Sequence, residues 1–500
     1  MDPASSRTPP VLRHLDTASG ALLLFLTVWA PWAFGNVRWE EIQVMNWTGA
    51  AMGALWVAKH VIRWRTRHVP ARWSEPTRTG RWAVRTLAVL SVLVPAYVLV
   101  SVLNARATAD YWKFGTELVY LPGEPVSWLP SSYDRSGSLP AFWGWSALAL
   151  VFWAARDWFL GKSRDERRTD DEDHDTGLPD RIRTWLWTLV GSATVLAMTS
   201  MIQRFDGTDK LLWIRAPYSG DPSFHFGPYN YRTNAAQYFN LVWPVALGFW
   251  WSLRNAAKTR GSRTGAGAHV LLVPCTLILA ASPLISSSRG GALVMGALSI
   301  GALVVFLTGK RIWQQGRWLW ATAFLAVAVV LGLFLGGESL SKRFIETAKD
   351  PLNGRGEIYE TARRMSAESG WFGTGAGSFT ALNALYNPRP SRNVHGYVNN
   401  DWWETQNVHG YVHNDWWETQ ITLGWIGLGA LVVMMLLVPV IAFGSLGRPP
   451  SREFAGLVAL ALLGMLGHAV GDVPFQVRSL LFQFLVTMAM ASAMVRRTRR

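Results

Sequence analysis

The sequence predicts an all-α polytopic membrane protein with about 12 transmembrane helices and a large, partly helical periplasmic loop between spans nine and ten. Three observations carry this. Half of the 500 residues are hydrophobic and only 16% are charged, which is poor in charge for a soluble chain. The 29 tryptophans suit membrane interfaces. The short basic clusters all fall on one side once the apolar stretches are threaded through a bilayer.

A helix needs roughly 20 residues to cross a hydrocarbon core. Stretches of that kind lie near 18–36, 44–62, 83–103, 140–160, 184–203, 233–252, 268–286, 290–308, 317–337, 421–445, 454–471 and 478–495. The first is not read as a cleaved signal peptide, because WAPWAFGNVRW offers no small-residue cleavage site and further spans follow at once. With the N-terminus inside, the clusters RWRTRHVPARWSEPTRTGR, RNAAKTRGSR, GKRIWQQGR, GRPPSR and RRTRR are all cytoplasmic. The other face receives three long segments, roughly 104–139, 204–232 and 338–420, whose Trp, Tyr, Pro and Gly suggest folded loops lying against the membrane. The chain therefore divides into residues 1–337 with spans one to nine, 338–420 as the large outer loop, and 421–500 with the last three spans and a basic tail. In a bacterium this is an inner-membrane, multi-pass protein whose outer loops face the periplasm.

The net charge of +15 excludes little alone, but its placement in clusters between apolar runs argues for orientation and against a nucleic-acid partner. Cys275 is the single cysteine and cannot form an intramolecular disulfide. There is no Walker A sequence, no HExxH and no paired CxxC, so no metal and no cofactor are expected. The run DERRTDDED resembles a carboxylate metal motif. A solvated loop is the preferred reading, since no apolar framework would fix a site there.

The functional candidates are ionisable residues at the outer face. Arg289, in SSSRGGAL between spans seven and eight, is either a turn residue that snorkels to the interface or an anion site helped by the adjoining serines and glycines. Arg215 and Arg232 precede span six in LLWIRAPYSGDPSFHFGPYNYRTNAAQ and are either solvated or convergent with Arg289. Residues 355–368 carry Ile358, Ala362 and Met365 at helical spacing. The glycines of GTGAGSF end that helix, and without a preceding strand they are weak evidence for phosphate binding.

A fourteen-residue unit is written twice, as NVHGYVNNDWWETQ over 393–406 and NVHGYVHNDWWETQ over 407–420. The copies differ only at Asn399 and His413. If helical, the second copy holds His413 about two turns before span ten, at headgroup depth, and Trp416 and Trp417 suit an aromatic belt. His395 and His409 recur in both copies and are weaker candidates. His468 and Asp472 share one helical face if the eleventh span continues that far.

His413 and Asn414, nine residues, Gly424, two residues and Gly427 together fit a pattern associated with bacterial O-antigen ligases. SSSRGGAL, GRGEIYETARRMSAESGWFGTGAGSF and HAVGDVPFQVRSLLF also resemble the O-antigen ligase and polymerase superfamily in order and spacing, over roughly residues 200–490. The resemblance implies transfer of a glycan from undecaprenyl diphosphate to a hydroxyl of lipid A core at the outer face. In related enzymes the acceptor is another lipid-linked repeat or a protein. It carries His413 over as the catalytic histidine and Arg289 as a diphosphate contact, with Arg215 preferred for the upstream arginine and Arg232 competing for it. Asn414, Gly424, Gly427, His468 and Asp472 are supporting residues.

The chemistry fits these residue types. A diphosphate is already a good leaving group, so the work left is to stabilise its charge and deprotonate the acceptor. Arginine forks serve the first need and an imidazole, largely neutral at neutral pH, the second. The rival class is a multispan transporter or flippase, which would show symmetric halves and charges at mid-membrane depth.

Overall fold

The computed structural model describes residues 8–70, 72, 74–76, 78–112, 115–162, 178–217, 221–259, 267–307, parts of 323–345, 355–386, 411–444, 452–494 and 496–498. Of the described residues, 77% are helical. Its main helices are α1 (Pro10–Trp32), α2 (Trp39–Arg65), α3 (Arg78–Leu103), α4 (Arg135–Leu160), α5 (Asp180–Asp206), α6 (Arg232–Thr259), α7 (Leu272–Ile285), α8 (Arg289–Leu307), α9 (Gly356–Ser369), α10 (Phe379–Tyr386), α11 (Asp415–Gly444), α12 (Arg452–His468) and α13 (Arg478–Met494).

Among the described residues, seven helical stretches are long and apolar enough to cross a membrane: α1, α3, α4, α5, the 268–285 stretch containing α7, α8, and most of α11. The chain is a multi-pass helical membrane protein. Four more expected spans, at 44–62, 233–252, 454–471 and 478–495, coincide with α2, α6, α12 and α13, which do not meet that standard. α12 and α13 have 17 residues each, short of the roughly 20 a hydrocarbon core takes. The ninth expected span, 317–337, lies mostly outside the described residues.

Local sequence sets the helix ends. Pro10 opens α1 where a missing N–H costs nothing, and Gly207, at φ 70°, closes α5 in the left-handed region. Burial sets the arrangement. From Ala235 to Phe249 every residue of α6 is buried, so the helix has no polar face to give to lipid or water and becomes the hub. It packs along α12, α7 and α8. α4 packs along α2, α13 and α3, while α1 joins α2 to α5.

The outer segments add structure that helical periodicity does not announce. Strands β2 (Ala107–Trp112) and β3 (Gly115–Tyr120) form an antiparallel hairpin, so the fold is not wholly helical. ATADYW and GTELVY supply the aromatic and β-branched residues such a ribbon needs. Ser74–Pro76 (β1) pairs antiparallel with Arg496–Thr498 (β4), joining an early loop to the C-terminal tail. Above the main core sits a smaller one of Ala362, Met365, Phe379, Leu382, Val412 and Ile421, with Leu118 of the hairpin packed against it. The helix expected over 355–368 is α9, and Ala362 and Met365 face this core as their spacing requires.

Candidate active site

α11 starts six residues before the expected span, at Asp415, so the DWWETQ segment belongs to the same helix as the apolar stretch that follows. It is interrupted at Gly424 (φ 66°, ψ −173°). A β-carbon there would sit 2.1 Å from the Trp371 carbonyl oxygen, and one at Gly373 would sit 2.4 Å from the Gly424 nitrogen. The two backbones cross in contact, and only glycine at both positions allows it. Thr374 and Gly375 donate N–H groups to the carbonyls of Ile421 and Thr422 at 2.9 and 2.8 Å. The Tyr97 hydroxyl donates to those of Phe372 and Leu423 at 2.6 and 2.9 Å. The GTGAGSF glycines thus serve backbone crossing. Gly427 lies against the Leu423 side chain, one turn away.

His413 precedes this helix in the left-handed region, at φ 56°, a costly conformation for a non-glycine residue and one concentrated at functional sites. Its neighbours hold it there. The Asn414 side chain accepts the Trp417 N–H at 3.0 Å as a helix N-cap, and Glu418 reaches back to accept the Val412 N–H at 3.0 Å. Buried Asp415 accepts the Phe475 N–H at 2.8 Å and the Gln476 side-chain N–H at 3.3 Å, while its own N–H donates to the Ala469 carbonyl at 3.0 Å. The loop that follows α12 is thereby fastened beside His413.

That loop presents Asp472, whose Oδ1 lies 3.4 Å from His413 Nδ1. The Asp472 side chain is 4% exposed and that of His413 28%, so the carboxylate is held inside while the imidazole stays accessible. Burial alone would raise the Asp472 carboxyl, but the hydrogen bond and charge of His413, with Arg355 and His468, hold it below the usual carboxylate range. Arg355 donates to the Gly471 carbonyl at 2.8 Å and to the Tyr231 hydroxyl at 3.3 Å. The Tyr231 ring meets the imidazole edge-on, with centroids 6.4 Å apart. Burial and the Asp472 charge push the Tyr231 phenol up, so it stays a neutral hydrogen-bonding group.

The next residue after Tyr231 opens a second set. Buried Arg232 donates to the Ser223 carbonyl at 2.6 Å and lies over the Phe224 ring. Arg343 donates to the Ser223 hydroxyl at 2.9 Å, and Arg289 donates to the Arg343 carbonyl at 3.1 Å. Arg204, near the end of α5, donates to the carbonyls of Pro222, His225 and Ser286. Three guanidinium groups, of Arg204, Arg232 and Arg343, are gathered on the loop around Ser223, and Arg289 adjoins them through the Arg343 carbonyl. Asp221 beside them has its carboxyl lowered, first by its hydrogen bonds to Ser223 and then by Arg343 and Arg232. The two sets touch twice, through the Tyr231–Arg232 peptide and through Gly290, where an added β-carbon would lie 2.9 Å from His468 Nε2.

Of the residues singled out in the sequence, Arg289 and Arg232 join the arginine group, while His413 and Asp472 form the pair beside it. Arg215 has other partners: it donates to Glu41 at 2.5 Å and stacks over Phe34 at 3.9 Å. His468 and Asp472 do not share a helical face, because α12 ends at His468 and Asp472 lies in the loop beyond. His468 is buried there, and neither ring nitrogen has a hydrogen-bond partner among the described residues. Trp416 and Trp417 are packing residues as much as belt residues, against Phe475 and Tyr359 respectively. Sequence reasoning passed over Arg204, Arg343, Arg355 and Tyr231. The whole first copy of the repeat, with Asn399 and His395, and also His409 lie outside the described residues.

A polytopic helical membrane protein with an imidazole–carboxylate pair beside gathered arginines is the class that fold and site define. Residues 274–432, less than half of the chain, match the family model for O-antigen ligase, which supports the resemblance to the O-antigen ligase superfamily. The match takes in Arg289, Arg343, Arg355, His413, Asn414, Gly424 and Gly427, and is narrower than the 200–490 resemblance. The family implies an enzyme of the glycosyltransferase type acting in lipopolysaccharide or polysaccharide biosynthesis. No curated protein matches the chain.

Proposed function

We propose that this protein transfers a glycan from undecaprenyl diphosphate to a hydroxyl of lipid A core at the periplasmic face of the inner membrane. The observation that carries the reading is the His413–Asp472 pair seated beside the guanidinium groups of Arg232, Arg289, Arg343 and Arg204. Residues 1–337, 338–420 and 421–500 supply, in turn, most of the bundle, the loop layer above it and the last helices.

The steps follow from the chemistry of the side chains. Asp472 accepts a hydrogen bond from the Nδ1–H of His413 and stays ionised, which leaves the Nε2 lone pair directed away from the carboxylate. Nε2 takes the proton of the acceptor hydroxyl as its oxygen bonds to the anomeric carbon of the donor sugar. The bond from that carbon to the diphosphate oxygen breaks, and the electron pair leaves with the diphosphate. The arginines hold the departing charge by forked hydrogen bonds in a site partly closed to water. His413 is the catalytic residue, and Asp472 is a positioning residue acting through it.

A lipid-linked repeat as acceptor, which would make the enzyme a polymerase, uses the same chemistry. Purified protein is incubated with a lipid-diphosphate glycan and either lipid A core or a second donor molecule. Glycosylated lipid A supports the ligase, lengthened lipid-linked chains support the polymerase, and no transfer to either refutes the assignment.

A further inference from the structure

A second charged constellation lies at the opposite end of α5 from Arg204, where Arg181 stands roughly 35 Å away along the helix. Fully buried Lys59 bonds Asp16 at 3.3 Å and Asp157 at 3.0 Å. Arg63 forks onto Asp157 at 2.7 and 3.1 Å, and Arg181 pairs with Asp16. Three cations therefore share two carboxylates. The group borders a cavity of about 40 Å³ that Arg13 and Arg72 also line, room on the scale of three waters or one small anion. Among the described residues, the buried Arg63 Nε–H has no acceptor.

Five cations around two carboxylates leave a positive excess where burial makes unpaired charge costly. A second acceptor-rich anion would answer both the excess and the unfilled donor. Guanidinium forks match phosphate oxygens, and basic pockets between helices on the cytoplasmic side hold lipid headgroups. The loops flanking this cavity are those whose Arg and Lys mark that side. We propose that the cavity between α1, α2, α4 and α5 binds a phosphate group, supplied by the headgroup of an anionic lipid of the adjoining leaflet or by free phosphate. The site is separate from the arginine cluster and does not depend on the glycosyltransferase reading.

The test uses the full-length protein in detergent, titrated with phosphatidylglycerol, phosphatidylcholine or inorganic phosphate. Lipid retention is followed by native mass spectrometry and Tm by scanning fluorimetry. Saturable stabilisation by phosphatidylglycerol but not phosphatidylcholine is expected. The pair Arg13→Gln and Arg72→Gln weakens it by roughly tenfold or more, and Arg72→Lys weakens it less. Both substitutions leave the Tm without added anion unchanged, which separates lost binding from lost folding; if the pair lowers it, Arg72→Gln alone is scored. Competition by inorganic phosphate identifies a site open to the free anion, and its absence one that needs the lipid. No saturable binding of either, or undiminished binding by a folded variant, overturns the proposal.

Discussion

The two ends of the helix bundle use arginine in opposite ways. At the Lys59 end, Arg63 and Arg181 are set against the carboxylates of Asp157 and Asp16. At the Ser223 end, Arg204 and Arg232 give their hydrogen bonds to backbone carbonyls. A carbonyl fixes the direction of a guanidinium and leaves its charge in place, whereas a carboxylate cancels it. The second arrangement keeps a strong positive field available for an incoming anion, which a catalytic end needs, whereas at the Lys59 end only the excess of cations over carboxylates stays uncancelled. The same contrast separates Arg232 from Arg215, whose partner is Glu41.

The sharpest way to break this comparison is at the imidazole. His413→Ala is expected to abolish transfer in reconstituted membranes, a loss of about 10² to 10⁴ in rate, while the protein still inserts and melts as a folded species. Asn399→Ala in the first copy leaves transfer largely intact, and equal loss in both would reverse the assignment of the copies. Next come the arginines. Arg289→Ala and Arg232→Ala are each expected to lower transfer by roughly a hundredfold, with Lys at either position restoring only part because it lacks the fork. Arg215→Ala, which breaks an ion pair already satisfied by Glu41, should cost far less. A loss at Arg215 equal to that at Arg232 would erase the distinction drawn above.

Asp472→Asn tests the positioning role by a milder change. It is expected to reduce the rate constant by about tenfold or more with little effect on donor KM. Its pH signature has a definite sign. A carboxyl held below its unfolded value stabilises the fold above the ordinary carboxylate pKa, near 4, and that contribution fades as pH falls through the depressed value. Wild type should therefore lose Tm in acid below about pH 4 more steeply than Asp472→Asn. The smallest effect on chemistry and a clear one on stability is expected from Gly424→Ala, about 1–3 kcal/mol from the positive φ and the clash with the Trp371 carbonyl. Thermal unfolding measures it.

Much of this was legible in the chain, and unevenly so. Apolar stretches mark most helices because a bilayer demands about twenty such residues in a row, and that demand leaves a pattern in any sequence. Arg289 and His413 stood out because each breaks an apolar or repeated context. Arg204, Arg343 and Arg355 did not, since nothing local distinguishes an arginine that later converges on Ser223 or Asp472 from one facing headgroups. Their role is written in tertiary packing. Asp472 stands out as an acid at a span end, but the helical face it would share with His468 is not formed, because α12 ends three residues before the end of the expected span. The hairpin over 107–120 is hidden because its apolar residues fall side by side, as in Tyr111–Trp112 and Leu118–Val119–Tyr120, and break the strict alternation that marks a strand. Asn414, read as half of a motif, proves to be a cap.

The mutual lock of Gly373 and Gly424 has a consequence for the tandem copies. It joins the chain before the connector to the chain after it, so residues 387–410 link two points already fixed to each other. Lengthening such a link from about ten residues to about twenty-four costs only about 0.8 kcal/mol of closure entropy. A fourteen-residue duplication can arise there as a nearly neutral event, leaving the imidazole of the downstream copy where a single copy would have put it.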